Sequence, residues 1–103
     1  MLRPLEKAVA IIIRVAEPEM IILFGSHASG DDAIDSDYDL LVLKKGVKNR
    51  RKLVQEIYLN FRNIGAPMDI IVADLNKYQQ LKNDPYMIYR EAAHNGKVIY
   101  ERP

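Results

Sequence analysis

The stretch ILFGSHASGDDAIDSDYDLLVL, residues 22–43, constrains the chain more than any other. An apolar run over residues 20–24 stops at Gly25-Ser26. Ten residues, His27 to Ser36, then separate that Ser from Asp37-Tyr38-Asp39, which opens a second apolar run. Apolar runs this short, bounded by turn residues, are strand-like. A glycine closing a strand lets backbone approach a neighbour or ligand closely. Side chains on a strand alternate faces, so Asp37 and Asp39 are expected on one face and Tyr38 on the other. Two carboxylates so close repel unless a cation lies between them.

The rest of the pattern alternates helix and strand. Pro4 suits a first helical turn, and Leu5, Val9, Ile12, Ile13 and Ala16 recur at helical spacing, so a helix is expected over about residues 4–16. The first strand covers residues 20–24, and one helical turn is expected from Ser26 to Gly30. An acidic loop then leads to a second strand over residues 37–43. A long helix is expected over about residues 48–63, with Leu53, Ile57, Phe61 and Ile64 on one stripe and Gly65 as its C-cap. A third strand is expected over 68–72, with Asp74 or Asn76 capping a short helix. Asp84-Pro85 is expected to start a helix running to about His94, before a last strand over 97–101. This order predicts an α+β fold: a small mixed sheet with helices packed on one side, in a single domain spanning residues 1–103.

Composition narrows the functional classes. Lys plus Arg number 15 and Asp plus Glu 14, a net charge of +1, which gives no argument for bulk nucleic-acid binding. With no Cys, disulfides, thiolate metal sites and Cys nucleophiles are excluded, and a reducing cytoplasm is the expected compartment. No apolar run approaches the roughly 18 residues of a membrane span. The N-terminal residues, with acids and Arg14 inside the apolar stretch, do not read as a signal peptide.

The chemistry centres on five residues. If Ser26 opens a helical turn, its N–H and those after it favour phosphate oxygens. Asp37 and Asp39 are hard oxygen ligands of the number and kind that Mg²⁺ takes alongside substrate phosphates. Asp69, in PMDIIV, joins them if the third strand lies beside the second. A lone acid in an apolar strand is costly unless it is paired, metal-bound or at an exposed end. Three carboxylates can hold two metals, with Asp69 helping to deprotonate an attacking hydroxyl.

Taken singly, each feature has a plainer reading: a solvated strand start for Asp37 and Asp39, an ordinary turn for Gly25-Ser26, a strand-end acid for Asp69. Their combination weighs against those readings. Asp31, Asp32 and Asp35 read as loop acids. His27 reads as a turn cap or a phosphate contact, and His94 as a helix-end residue facing the dipole. The basic run Lys44 to Lys52 reads first as a solvated loop and helix start, and second as a steering patch for a triphosphate or acidic partner. Tyr38, Tyr58, Tyr86 and Tyr89 read as core or interface residues, with Tyr86 and Tyr89 able to face a partner.

GSHASGDDAIDSDYDLLV, with MDIIV downstream, resembles the polymerase-β-like nucleotidyltransferases, in particular the minimal nucleotidyltransferases of prokaryotes. The likeness spans most of the chain. It implies that Gly25 and Ser26 contact nucleotide phosphates, with a lesser contact from Ser36. Asp37, Asp39 and Asp69 are implied as the Mg²⁺-binding catalytic acids. The implied reaction is attack of a hydroxyl on the α-phosphorus of a nucleoside triphosphate, usually ATP, with release of pyrophosphate. Many members act as antitoxins that adenylylate a Tyr of a HEPN-domain toxin, so a HEPN partner is implied, while no membrane or direct nucleic-acid contact is expected. Where the family often has Arg after Gly-Ser, His27 and Ser29 stand here, and neither offers a permanent charged fork. The rival expectation is therefore a binding module that neutralises its partner with a vestigial nucleotide site. A phosphoacceptor α/β domain fits less well, because its acids belong at strand C-terminal ends.

Overall fold

The computed structural model describes residues 3–29, 37–85 and 88–103. Its elements are α1 (Pro4–Ala16), β1 (Met20–Phe24), α2 (Ser26–Ser29), β2 (Tyr38–Lys44), α3 (Arg50–Leu59), β3 (Met68–Asp74), α4 (Leu75–Leu81), α5 (Ile88–Asn95) and β4 (Lys97–Glu101). The strands form one mixed sheet in the order β3-β2-β1-β4. β1 pairs antiparallel with β2 and β4, while β2 and β3 run parallel. The parallel pair is joined through α3, as a parallel connection requires.

Strand alternation divides the core into two layers. Ile21 and Leu23 of β1, with Leu40 and Val42 of β2 and Ile70 and Val72 of β3, pack against Ala8 and Ile12 of α1 and Ile57 of α3. Ile22, Phe24, Leu41, Leu43 and Ala73 point the other way, onto Leu75 and Tyr78 of α4 and Tyr89 and Ala92 of α5. The helices therefore cover both faces, which corrects the expected one-sided arrangement. The continuous apolar runs of β1 and β2 are the physical reason: a strand that is apolar at every position needs cover on both sides.

Several boundaries also move. Asp37 precedes β2 instead of opening it. α3 starts later than expected because the Asn49 side chain accepts the Lys52 N–H as an N-cap. It stops earlier, at an Asn60 C-cap whose N–H returns to the Ile57 and Tyr58 carbonyls. Gly65 is a turn residue at φ 94°, not the cap of this helix. Asp74 does cap α4, accepting from the Asn76 and Lys77 amides. Asp84 and Pro85 lie before α5 instead of in its first turn. Among the described residues, no helix is long and apolar enough to cross a membrane.

Candidate active site

Sheet topology assembles the site at one end of the molecule. There β1 ends while β2 and β3 begin. Register sets Phe24 opposite Asp39, and Asp39 opposite Asp69. Because paired residues share a face, the Asp39 and Asp69 carboxylates project together, on the face covered further along by α4 and α5. The site depends on the parallel β2–β3 pair. A shift of one residue in that register would send Asp69 to the opposite face.

Gly25 turns away beside this pair with φ 75°, a left-handed conformation that glycine adopts freely. A Cβ there would overlap Asp39 Oδ2 and stand 3.2 Å from Asp39 Cγ. The glycine thus serves the strand exit and the seat of a carboxylate together. The Ala28 N–H donates to the Gly25 carbonyl at 3.1 Å, closing the turn that starts α2 at Ser26.

The electrostatics are those of crowded acids. Burial pushes the Asp39 carboxyl above its ordinary value; the charges of Asp69 and then Asp37 push it the same way, and His27 pulls against them. A side-chain hydrogen bond between Asp39 and Asp69 adds to the rise. Asp39 and Asp69 form the tight pair; Asp37, exposed just before the strand, acts on Asp39 through its charge. Among the described residues, no three His, Cys, Asp or Glu side chains are grouped so that they could hold a metal ion together. A pair of hard oxygen donors that destabilise each other is nonetheless a fitting seat for a divalent cation, which relieves the repulsion. Ser36 and the acids Asp31, Asp32 and Asp35 lie outside the described residues, as does Tyr86.

Two features escaped the sequence reading. The His27 ring stacks on Tyr38 with centroids 3.8 Å apart and planes inclined by 11°, tying α2 to the start of β2. The opposite-face placement of Tyr38 hinted at a partner there, but not at which one. Tyr58 is 41% exposed. Its hydroxyl accepts the Ile70 N–H at 2.8 Å and donates to the Met68 carbonyl at 3.2 Å. It therefore clamps β3 on both sides of Asp69, a role that spacing along the helix could not show.

Comparison with known proteins bears on the family and the fold. The family described as polymerase beta, nucleotidyltransferase, matches residues 6–103. The chain is 27% identical over 100 residues to the protein adenylyltransferase MntA of Aphanizomenon flos-aquae (strain 2012/KM1/D3), covering 95% of this chain and 67% of that one. In fold it is similar to a Sulfolobus solfataricus protein assigned to the nucleotidyltransferases, at TM-score 0.61 and 23% identity over 96% of this chain and 87% of the other. A mutant MntA–HpeT toxin–antitoxin structure gives TM-score 0.62 at 18% identity, over 98% and 75% of the two chains. A toxin–antitoxin structure with AMP-PNP gives 0.54 at 22%, over 94% and 73%. With a family match that runs from the first helix to the last strand, this chain belongs to the polymerase-β nucleotidyltransferases.

Proposed function

We propose that this chain is a Mg²⁺-dependent adenylyltransferase that moves AMP from ATP to a tyrosine hydroxyl of a HEPN-type toxin, and so acts as its antitoxin. The observation that carries the reading is the registered Asp39–Asp69 pair seated against Gly25. The relative named as a protein adenylyltransferase and the fold neighbours from toxin–antitoxin complexes support the acceptor class. We read residues 1–103 as one catalytic unit working in the cytoplasm, where ATP is available.

In this reading the amides of the turn after Gly25 and the Ser26 hydroxyl take the phosphate oxygens. Asp39 and Asp69, with Asp37 beside them, would hold Mg²⁺, which would supply neutralising charge for the phosphates. Asp69 orients the acceptor hydroxyl and takes its proton. The acceptor oxygen bonds to the α-phosphorus, the bond from that phosphorus to the bridging oxygen breaks, and pyrophosphate leaves with the electron pair. Ser36 would add a lesser phosphate contact.

The test is to incubate the chain with a HEPN partner and α-labelled ATP, then weigh the partner. One added adenylate on tyrosine is expected, and its loss in Asp37→Asn and Asp39→Asn. A specific observation favours a second reading, neutralisation by binding alone: the phosphate turn carries His27, engaged on Tyr38, where a charged fork would strengthen nucleotide contact. Under that reading the partner is inhibited but keeps its mass. ATP with Mg²⁺ would then leave the melting temperature unchanged, whereas a ligand held by the folded state raises it.

A further inference from the structure

A second charged region lies away from the acids. The run from Lys44 to Lys52 holds six cations and no acid. Lys44 is engaged, its ammonium donating to the Glu17 carbonyl at 3.1 Å. Lys48, Arg50 and Arg51 are exposed, and among the described residues no ion pair joins them to a carboxylate. They rim a groove of about 560 Å³ whose floor is apolar, made by Val54 of α3 with Ile70 and Val72 of β3. The groove begins one residue beyond Asp69 and runs along β3 away from the acids.

The placement of these cations is costly to the fold. Arg50, Arg51 and Lys52 occupy the first turn of α3, which has no acid, although a helix N-terminus favours negative charge. The free amides there are partly served by the Asn49 cap. Like charges placed against a dipole do not stabilise α3, and local rules are broken in this way at functional surfaces. Continuous with the groove through Gln55 is an apolar patch bearing Tyr58 and Leu59, the latter 76% exposed. Exposed apolar area beside unpaired charge marks an interaction surface.

We infer that the groove between α3 and β3 docks an acidic, leucine-bearing segment of a partner protein, its carboxylates on Lys48, Arg50 and Arg51 and its apolar side chains over Leu59 and Val54. Charge complementarity selects an anionic occupant. The apolar floor selects a polypeptide over a nucleic acid, and the whole chain carries only +1, which gives no argument for bulk nucleic-acid binding. The inference holds whether or not the acid end transfers AMP, because it concerns binding at a separate surface.

The experiment is fluorescence anisotropy with a labelled poly-glutamate peptide carrying regularly spaced leucines, against the full chain. Micromolar binding that weakens with salt is expected. The variant Lys48→Glu/Arg50→Glu/Arg51→Glu should weaken it at least about tenfold, while melting no lower than wild type. Leu59→Ser should weaken the leucine peptide several-fold and leave plain poly-glutamate unchanged. A control, Arg3→Glu/Lys82→Glu/Lys97→Glu, changes net charge equally at exposed positions elsewhere and should bind as wild type. The proposal is overturned if the peptide does not bind, if the control loses as much affinity as the groove variant, or if a mixed-sequence single-stranded RNA binds more tightly than the peptide at physiological salt.

Discussion

β3 carries an acid at each end, and the two could hardly be treated more differently. Asp74, at its C-terminal end, accepts from the amides of Asn76 and Lys77 at 2.8 and 3.2 Å and from that of Gly46 at 3.1 Å. The Lys77 amide is the largest of the causes that hold its carboxyl below the ordinary value. Asp69, near the N-terminal end, faces another acid across the parallel register, and that neighbour is pushed up by burial and by like charge. A carboxylate surrounded by donors is a structural part of the chain. A carboxylate paired with a carboxylate costs stability unless a cation joins them. On the proposed reading, the difference separates what β3 contributes to folding from what it would hold for function.

The largest expected effect breaks the acid pair. Asp39→Asn or Asp69→Asn should lower adenylate transfer by on the order of 10³-fold, as loss of a group aimed at transition-state charge does. Labelled-ATP transfer measures this, and circular dichroism should show the fold retained. The same variants should melt slightly higher than wild type without divalent cations, since they remove repulsion; a clear fall would assign these acids to the structural class with Asp74.

A second prediction concerns the seat of Asp39. Gly25→Ala must place a Cβ against the carboxylate and hold φ at 75°. Destabilisation of about 1–2 kcal/mol is expected from denaturant unfolding, with transfer falling further than stability explains. Removal of the clamp on β3 comes next. Tyr58→Phe leaves the Ile70 N–H without its acceptor and should cost about 1–2 kcal/mol. Transfer should fall only modestly, because β2 still holds Asp69 in register.

The smallest effect is in pH dependence, where the two ends of β3 carry opposite signs. The Asp74 carboxyl is depressed on folding, so its stabilisation is present above its unfolded pKa and fades as pH falls through the lower folded value. The Asp39 carboxyl is raised, so its contribution is full below the unfolded pKa and fades as pH rises through the higher folded value. Melting curves across the acid range should therefore show Asp74→Ala least stable relative to wild type at neutral pH, with the gap closing in acid. For Asp39→Asn the gain should be greatest at neutral pH and vanish in acid.

Much of this was legible in residue order, for physical reasons that also explain the misses. α1, β1 and β4 fall where Pro4, the residue 20–24 run and the Asn95-Gly96 stop put them. The alternation around Asp39 and the isolated Asp69 implied a shared face, and the register gives one. The long-helix expectation failed because Phe61 and Ile64 pack on the core from outside α3. Apolar periodicity reports burial, and a helix is only one way to reach it. Cover on both faces was implied by the unbroken apolarity of residues 20–24, which the one-sided expectation did not take into account. The His27–Tyr38 stack and the Tyr58 clamp join residues that meet only after the sheet forms, so no local pattern announced them.

The central claim is that Asp39 and Asp69, with Asp37 nearby, form a cation seat. Manganese binding followed by electron paramagnetic resonance, with a non-hydrolysable ATP analogue present, tests it most directly. Wild type should take up Mn²⁺, and Asp39→Asn/Asp69→Asn should lose that uptake while Asp74→Asn keeps it. Equal Mn²⁺ binding by the wild type and the Asp39→Asn/Asp69→Asn variant would contradict the account.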